Sequence, residues 1–116
     1  MYDKSHQEYE LHTRIIKMRS KYEPNITITI DGNSMLPSIS HGDKVTFETN
    51  SIDYEVGDIV VFIMNGVMLV HRIIGKRREY DTVYYTIRGD NAPGYDGEYF
   101  TKDDILGTVV GIQKKS

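Results

Sequence analysis

Two apolar segments joined by Asn65 and Gly66 constrain the fold of this 116-residue chain more than any other feature. The segments are residues 59–64 and 67–74, each of strand length. A type I′ turn needs positive φ at both central residues, which Asn and Gly tolerate, so the pattern predicts a β-hairpin. Period-two alternation places one set of residues on a single face of the second arm: Val67, Leu69, His71 and Ile73.

Most of the remaining chain also has strand-like patterning. Residues 25–30 alternate polar and apolar side chains, which predicts a half-buried strand. Turn residues and apolar runs predict further strands at 44–47, 82–87 and 107–112. The result is a mostly β domain over residues 1–116, with a β core at 25–113.

The N-terminal segment, residues 1–23, is the exception. Helical spacing predicts one short helix over residues 5–22, which Pro24 ends. We expect its apolar side chains to fall roughly on one side. They are Tyr9, Leu11, Ile15, Ile16 and Met18.

Composition excludes several classes of function. The net charge of −3 argues against a nucleic-acid partner, because phosphate neutralisation needs a basic surface. The absence of cysteine excludes a disulfide scaffold, a thiol nucleophile and cysteine-ligated zinc. No metal or cofactor motif stands out. The longest apolar run, residues 59–64, is far too short to span a bilayer, so we expect no membrane span and a cytoplasmic location.

Three polar residues are candidates for catalysis. Ser34 follows the strand at 25–30 in a turn with Gly32 and Asn33, where its hydroxyl and its own N–H can face one point and the N–H can serve an oxyanion hole. His71 interrupts an apolar strand, where an imidazole needs hydrogen-bond partners. The residues around Ser34 also fit a plain polar turn, and a histidine in a strand is commonly structural.

An imidazole that acts as a base requires a carboxylate on its second nitrogen. Asp90 and Asp96 are the candidates for this role, and the residues alone do not choose between them.

The order of these motifs resembles that of type I signal peptidases, within the wider group of signal-peptidase-like and LexA-like serine peptidases. The resemblance runs from about residue 25 to residue 111. It rests on five segments: 32–37, 42–43, 56–62, 70–72, and 89–91 with Asp96. Many bacterial members have lysine where this chain has His71, and the chain resembles the histidine branch, which includes the endoplasmic-reticulum and archaeal enzymes.

The resemblance implies a hairpin-built β-fold and a role for each residue. Ser34 would be the nucleophile, His71 the general base and Asp96 the third member, with Asp90 supporting the site. Two departures stand out. Gly32 replaces a serine that often donates to the oxyanion, and Gly97 and Glu98 follow Asp96 where a basic residue is usual.

These roles predict a serine endopeptidase that binds an extended peptide along a strand edge near Ser34. Because no membrane anchor is seen, we expect a substrate other than secretory signals, such as the leader of a modified peptide. A catalytically silent peptide- or protein-binding module is the alternative, and the N-terminal helix is a candidate surface for a partner protein. A self-cleaving LexA-like regulator is disfavoured, because Ala92, the only alanine, lies beyond the nucleophile.

Overall fold

A seven-stranded antiparallel sheet and one helix make up the fold in the computed structural model, which describes residues 4–92 and 97–116. The helix is α1 (Lys4–Arg19). The strands are β1 (Asn25–Thr29), β2 (Lys44–Glu48), β3 (Ile59–Met64), β4 (Val67–Glu79), β5 (Thr82–Arg88), β6 (Gly97–Phe100) and β7 (Ile105–Gln113), with a single 3₁₀ turn at Lys102–Asp104. Their order in the sheet is β1-β2-β7-β3-β4-β5-β6.

The predicted mostly β fold is confirmed. Asn65 and Gly66 both have positive φ, at 53° and 79°, and join β3 to β4 as the sequence predicted. The sequence underestimated β4, which runs on to Glu79 and pairs with β5 along its second half. It missed β6, a four-residue strand on the edge of the sheet.

The core lies on both faces of the sheet, and β3 contributes to both. Val61 packs with Phe47, Ile28 and Ile16 in one cluster of buried residues. Val60 and Phe62 pack in the other cluster. Val60, Val61 and Phe62 are all fully buried, which explains why β3 is a continuous apolar run and not an alternating one.

Helix α1 packs on the domain through one side, and its apolar residues are not confined to that side. Thr13 and Ile16 are buried, whereas Leu11, Ile15 and Met18 are exposed. The prediction of a single apolar side was therefore wrong. The helix has apolar residues on two opposite sides, so that periodicity alone could not tell which side the domain covers. In the part of the chain that the structure describes, no helix has the length and apolarity to cross a membrane.

Strand β7 passes so close to β2 that only glycine fits at residue 107. A Cβ built on Gly107 would lie 1.9 Å from the Glu48 carbonyl oxygen. Farther along the same strand, a Cβ on Gly111 would meet only the Thr46 side chain, at 3.9 Å. The two glycines therefore differ in the space around them, although they share a strand.

We expect Gly107→Ala to lower the free energy of unfolding by about 1–3 kcal/mol or more, because β2 and β7 must move apart. Gly111→Ala serves as the matched control and should change it by less than about 0.5 kcal/mol. Urea denaturation of both variants measures the difference. Equal stabilities would contradict the close approach at Gly107.

The Asp43 side chain connects the turn before β2 to the residues that follow β7. The Asp43 carboxylate accepts N–H bonds from Lys115, at 2.9 Å, and from Ser40, at 2.8 Å. It also pairs with the Lys114 ammonium at 3.1 Å. These bonds favour the charged form and lower the Asp43 pKa from 3.8 to about 2.

A carboxylate with a lowered pKa stabilises the fold above its ordinary pKa, and that stability is lost as the pH falls through the folded value. We therefore expect the free energy of unfolding to decline between pH 3.8 and about 2 in part because of Asp43. Asp43→Asn should be less stable at neutral pH and should show a shallower decline in this interval. Urea titrations at several pH values test this, and parallel curves for both proteins would contradict it.

Candidate active site

The chain segment that carries Ser34 is held in a sharp turn directly after β1. Gly32 has a φ of +95°, a conformation that favours glycine. Its N–H donates to His41 Nδ1 at 3.0 Å, and the Asn33 side-chain oxygen accepts the His41 N–H at 3.1 Å. The Asn33 carbonyl oxygen accepts the Leu36 N–H, which closes the turn. The polar residues around Ser34 therefore fix the turn from both sides.

His71 lies on β4 opposite Val60 of β3, with 6% of its surface exposed. The Phe62 ring is 5.7 Å away, centroid to centroid, at a tilt of 54°. His71 Nε2 lies 2.9 Å from Ser34 Oγ, within hydrogen-bond distance. Residues 37 positions apart in the sequence are thus brought together by the turn after β1 and the register of the β3–β4 hairpin.

The Gly89–Asn91 turn after β5 forms the third side of the site. The Asn91 N–H donates to the Ser34 carbonyl oxygen at 2.7 Å, and the Asn91 amide donates to the Asn33 carbonyl oxygen at 3.1 Å. A Cβ on Gly89 would lie 2.8 Å from the Ser34 carbonyl oxygen and 3.2 Å from His71 Nε2. Glycine at this position therefore lets the turn approach both Ser34 and His71.

Asp90 is in this turn, but its carboxylate is bound by Arg72. Arg72 Nε and Nη2 each lie 2.9 Å from one Asp90 oxygen, in a two-pronged ion pair. The Ser38 hydroxyl donates to the same carboxylate at 3.2 Å. The Arg72 hydrogen bond is the main cause that lowers the Asp90 pKa, with smaller contributions from Ser38 and from the nearby His71.

The hydrogen bonds of the Asp90 carboxylate thus connect it to Arg72 and Ser38. Asp96, the other candidate partner of His71, lies outside the described residues. The sequence named residues 70–72 as one motif but gave Arg72 no role. Neither periodicity nor spacing shows which of several nearby charges will pair.

An oxyanion hole at Ser34 was predicted to depend on backbone N–H groups. Within residues 4–92 and 97–116, no hydrogen-bond acceptor is found for the Ser34 N–H. Such a donor beside the nucleophile can stabilise negative charge on a carbonyl oxygen. Gly32 offers no side-chain donor there.

A cleft of about 280 Å³ opens beside Ser34 and His71. Its walls are residues 28–31 at the end of β1, residues 67–71 of β4, and Tyr9, His12 and Thr13 of α1. Antiparallel pairing across the sheet makes β1 and β4 run in the same direction, both toward the serine and histidine. The cleft is therefore bordered by two strands that lead to the same pair of reactive groups.

The β4 side of the cleft is a strand edge. β5 pairs with β4 only from Arg72 onward, so within the described residues the strand partner of 67–70 is β3 alone. The Met68 N–H, on the open side, donates to Thr13 Oγ1 of α1 at 2.9 Å. Val70, two residues further, directs its backbone groups to the same side. The sequence gave no role to Thr13, whose burial appears only when the helix is docked.

The described residues contain no cluster of three or more His, Cys, Asp or Glu side chains that could hold a metal ion. A larger cavity, of about 590 Å³, lies between Asp53, Lys76 and Thr101, and neither Ser34 nor His71 lines it.

The chain is similar to known proteins over most of its length. The sequence profile described as Peptidase S24-like matches residues 2–110. The chain belongs to this family. It is 32% identical over 98 residues to the signal peptidase complex catalytic subunit SEC11 of Colletotrichum graminicola, which covers 75% of this chain and 57% of that protein. The signal peptidase complex catalytic subunit SEC11 of Leptosphaeria maculans is 30% identical over 98 residues, and the match covers 75% of this chain and 56% of that protein. The corresponding subunit of Dictyostelium discoideum is 29% identical over 102 residues, and the match covers 78% of this chain and 55% of that protein.

The chain thus spans little more than half the length of the curated relatives that it matches. The family assignment confirms the predicted resemblance to signal-peptidase-like serine peptidases.

The Arg72–Asp90 pair should be energetically coupled, because both side chains are mostly buried and joined by two hydrogen bonds. In a double-mutant cycle of Arg72→Ala and Asp90→Ala, we expect a coupling energy of about 0.5–3 kcal/mol at neutral pH. The coupling should weaken as the pH falls through the lowered Asp90 pKa, since protonation removes the carboxylate charge.

The exposed pair Arg77–Glu79 provides a matched control, for which the coupling should be close to zero. Urea denaturation of the single and double variants measures both cycles. Additive effects at Arg72 and Asp90 would show that the pair does not hold the turn.

Proposed function

We propose that this chain is a serine endopeptidase of the signal-peptidase type, with Ser34 as nucleophile and His71 as general base. The observation that carries the proposal is the 2.9 Å distance between Ser34 Oγ and His71 Nε2. A serine hydroxyl is a weak nucleophile until a neighbouring base accepts its proton. Membership in the Peptidase S24-like family and the similarity to signal peptidase catalytic subunits support the same assignment.

The reaction follows from these positions. Ser34 Oγ attacks the peptide carbonyl carbon while His71 Nε2 accepts the hydroxyl proton. The Ser34 N–H stabilises the oxyanion. His71 then returns the proton to the leaving amine, and water hydrolyses the acyl-enzyme by the same proton path.

The role of base requires His71 to be neutral at Nε2 and protonated at Nδ1. We assign Asp96 to accept the Nδ1 hydrogen bond and to stabilise the imidazolium, as the resemblance implies. Asp90 has a positioning role. It binds Arg72, the neighbour of His71, and Ser38, which lies in the nucleophile turn, the turn at residues 32–38 that carries Ser34. It thereby positions the serine relative to the base.

The substrate is an extended peptide in the cleft between β1 and β4. The edge at Val70 has the open hydrogen-bonding groups that an added strand needs, and the cleft ends at Ser34 and His71. Leader segments of peptide precursors are extended before they are cut, and we propose such a leader as the physiological substrate.

Labelling with a serine-reactive phosphonate, followed by intact-mass measurement, tests the proposal. The wild-type chain should gain one adduct on Ser34. Ser34→Ala should abolish it, and His71→Ala should slow it by about 10²-fold or more, because the hydroxyl loses its base. Ser51→Ala, which alters a serine away from the cleft, should label like the wild type.

The absence of an adduct on folded wild-type protein would overturn the peptidase assignment in favour of a silent peptide-binding module, since the apolar cleft can hold a peptide without cutting it. Equal labelling of His71→Ala would remove the histidine from the mechanism.

A further inference from the structure

Helix α1 carries an apolar stripe on the side that faces away from the domain. Leu11, Ile15, Met18 and Tyr22 are spaced by four, three and four residues, and their exposed fractions are 53%, 48%, 63% and 82%. This spacing places Leu11, Ile15 and Met18 on one side of α1, and Tyr22 follows in the turn after the helix. We name these four residues the outer stripe.

The outer stripe is not needed to attach the helix to the domain. The opposite side does this through Ile16, which is buried in the core cluster, and through Thr13, which accepts the Met68 N–H. The Tyr9 hydroxyl adds a hydrogen bond to the Asp31 carboxylate. The helix is therefore fixed on the domain while its second apolar side faces solvent.

Positive charge lies beside the outer stripe. Arg14, Lys17 and Lys21 are exposed, and the sequence has no acidic residue between positions 11 and 22. Arg19 is also in this segment, but Glu23 binds its guanidinium. Since the whole chain carries a net charge of −3, this local excess of cations sets the outer side of α1 apart from the rest of the protein.

We propose that the outer side of α1 docks on an anionic lipid bilayer. The four side chains of the outer stripe enter the boundary between headgroups and acyl chains, and Arg14, Lys17 and Lys21 contact the lipid phosphates. An exposed apolar stripe bordered by lysine and arginine is the combination that binds such surfaces.

A second copy of the chain fits this surface less well. Two stripes facing each other would bring the same three cations together, and like charges repel. The helical part of the stripe, from Leu11 to Met18, is only about 10 Å long at 1.5 Å per residue. Such a short stripe is too small to bury the roughly 800 Å² per partner of a stable interface.

Docking would also place the cleft near the membrane. Tyr9, His12 and Thr13, on the inner side of the helix, line the cleft together with Ser34. A helix is about 10 Å in diameter, so the cleft would lie about that far from the headgroups. This consequence rests on the proposed function, whereas the docking itself does not.

Co-sedimentation of the full chain with vesicles tests the docking. Vesicles of phosphatidylcholine mixed with phosphatidylglycerol should bind the protein at least about tenfold more strongly than vesicles of phosphatidylcholine alone. High salt should reduce this difference, because it screens the attraction between lysine and phosphate.

Two variants separate the contributions. The triple variant Leu11→Ser, Ile15→Ser and Met18→Ser should lose binding to both vesicles. The triple variant Arg14→Gln, Lys17→Gln and Lys21→Gln should lose the preference for anionic lipid. Ile52→Ser, which removes an exposed apolar side chain far from α1 in the sequence, is the matched control and should bind like the wild type.

Three results would overturn the docking: no binding of the wild type to anionic vesicles, equal binding of wild type and both triple variants, or a dimer by light scattering that the stripe variant abolishes. Phosphonate labelling of the same proteins keeps the two proposals apart. Failure to label with intact vesicle binding counts against the peptidase alone, and normal labelling without vesicle binding counts against the docking alone.

Discussion

The guanidinium of Arg72 joins the four chain segments from which the site is built. It lies on β4 next to His71, pairs with Asp90 after β5 and contacts Ser38 of the nucleophile turn. Its Nη1 also donates to the Gly57 carbonyl oxygen, in the loop before β3, at 2.9 Å. Because these segments are far apart in the sequence, the geometry of Ser34 and His71 depends on this one side chain more than on any local preference of the turns.

Close backbone contacts hold the turns of the site together in addition to the Arg72–Asp90 ion pair. The Asn91 N–H binds the carbonyl oxygen of Ser34 itself, and the absence of a side chain at Gly89 lets the two turns meet. A serine and an imidazole held in contact by packed neighbours are already positioned for the proton transfer that the proposed mechanism requires. The rigidity comes from the sheet, since β3 is buried on both faces and sets the register of β4.

The sequence was a good guide to the sheet and a poorer one to the contacts between segments. Alternation at 25–30 and the Asn65–Gly66 turn are local signals, and both predicted the observed strands and hairpin. β6 was missed because a four-residue edge strand has too few residues to show a period. The two apolar sides of α1 were not told apart because Leu11, Ile15 and Met18 have the same apolarity as Ile16, and only the domain distinguishes the two sides. For the site, the motifs and their order named Ser34 and His71 as candidates, and the structure places the two side chains in contact. The pairing of Asp90 with Arg72 depends on distances that spacing does not encode.

The hydrogen bond from Met68 to Thr13 has a further consequence for the behaviour of the protein in a crowded solution. An unpaired strand edge is a template on which other chains can add, and it is a common start of aggregation. The proposed binding of a peptide substrate needs such an edge, because a strand that is fully paired cannot accept a peptide. By occupying the Met68 donor, α1 shortens the open edge to the residues beside the reactive groups, so the protein keeps a place for one extended segment without exposing a longer edge to copies of itself.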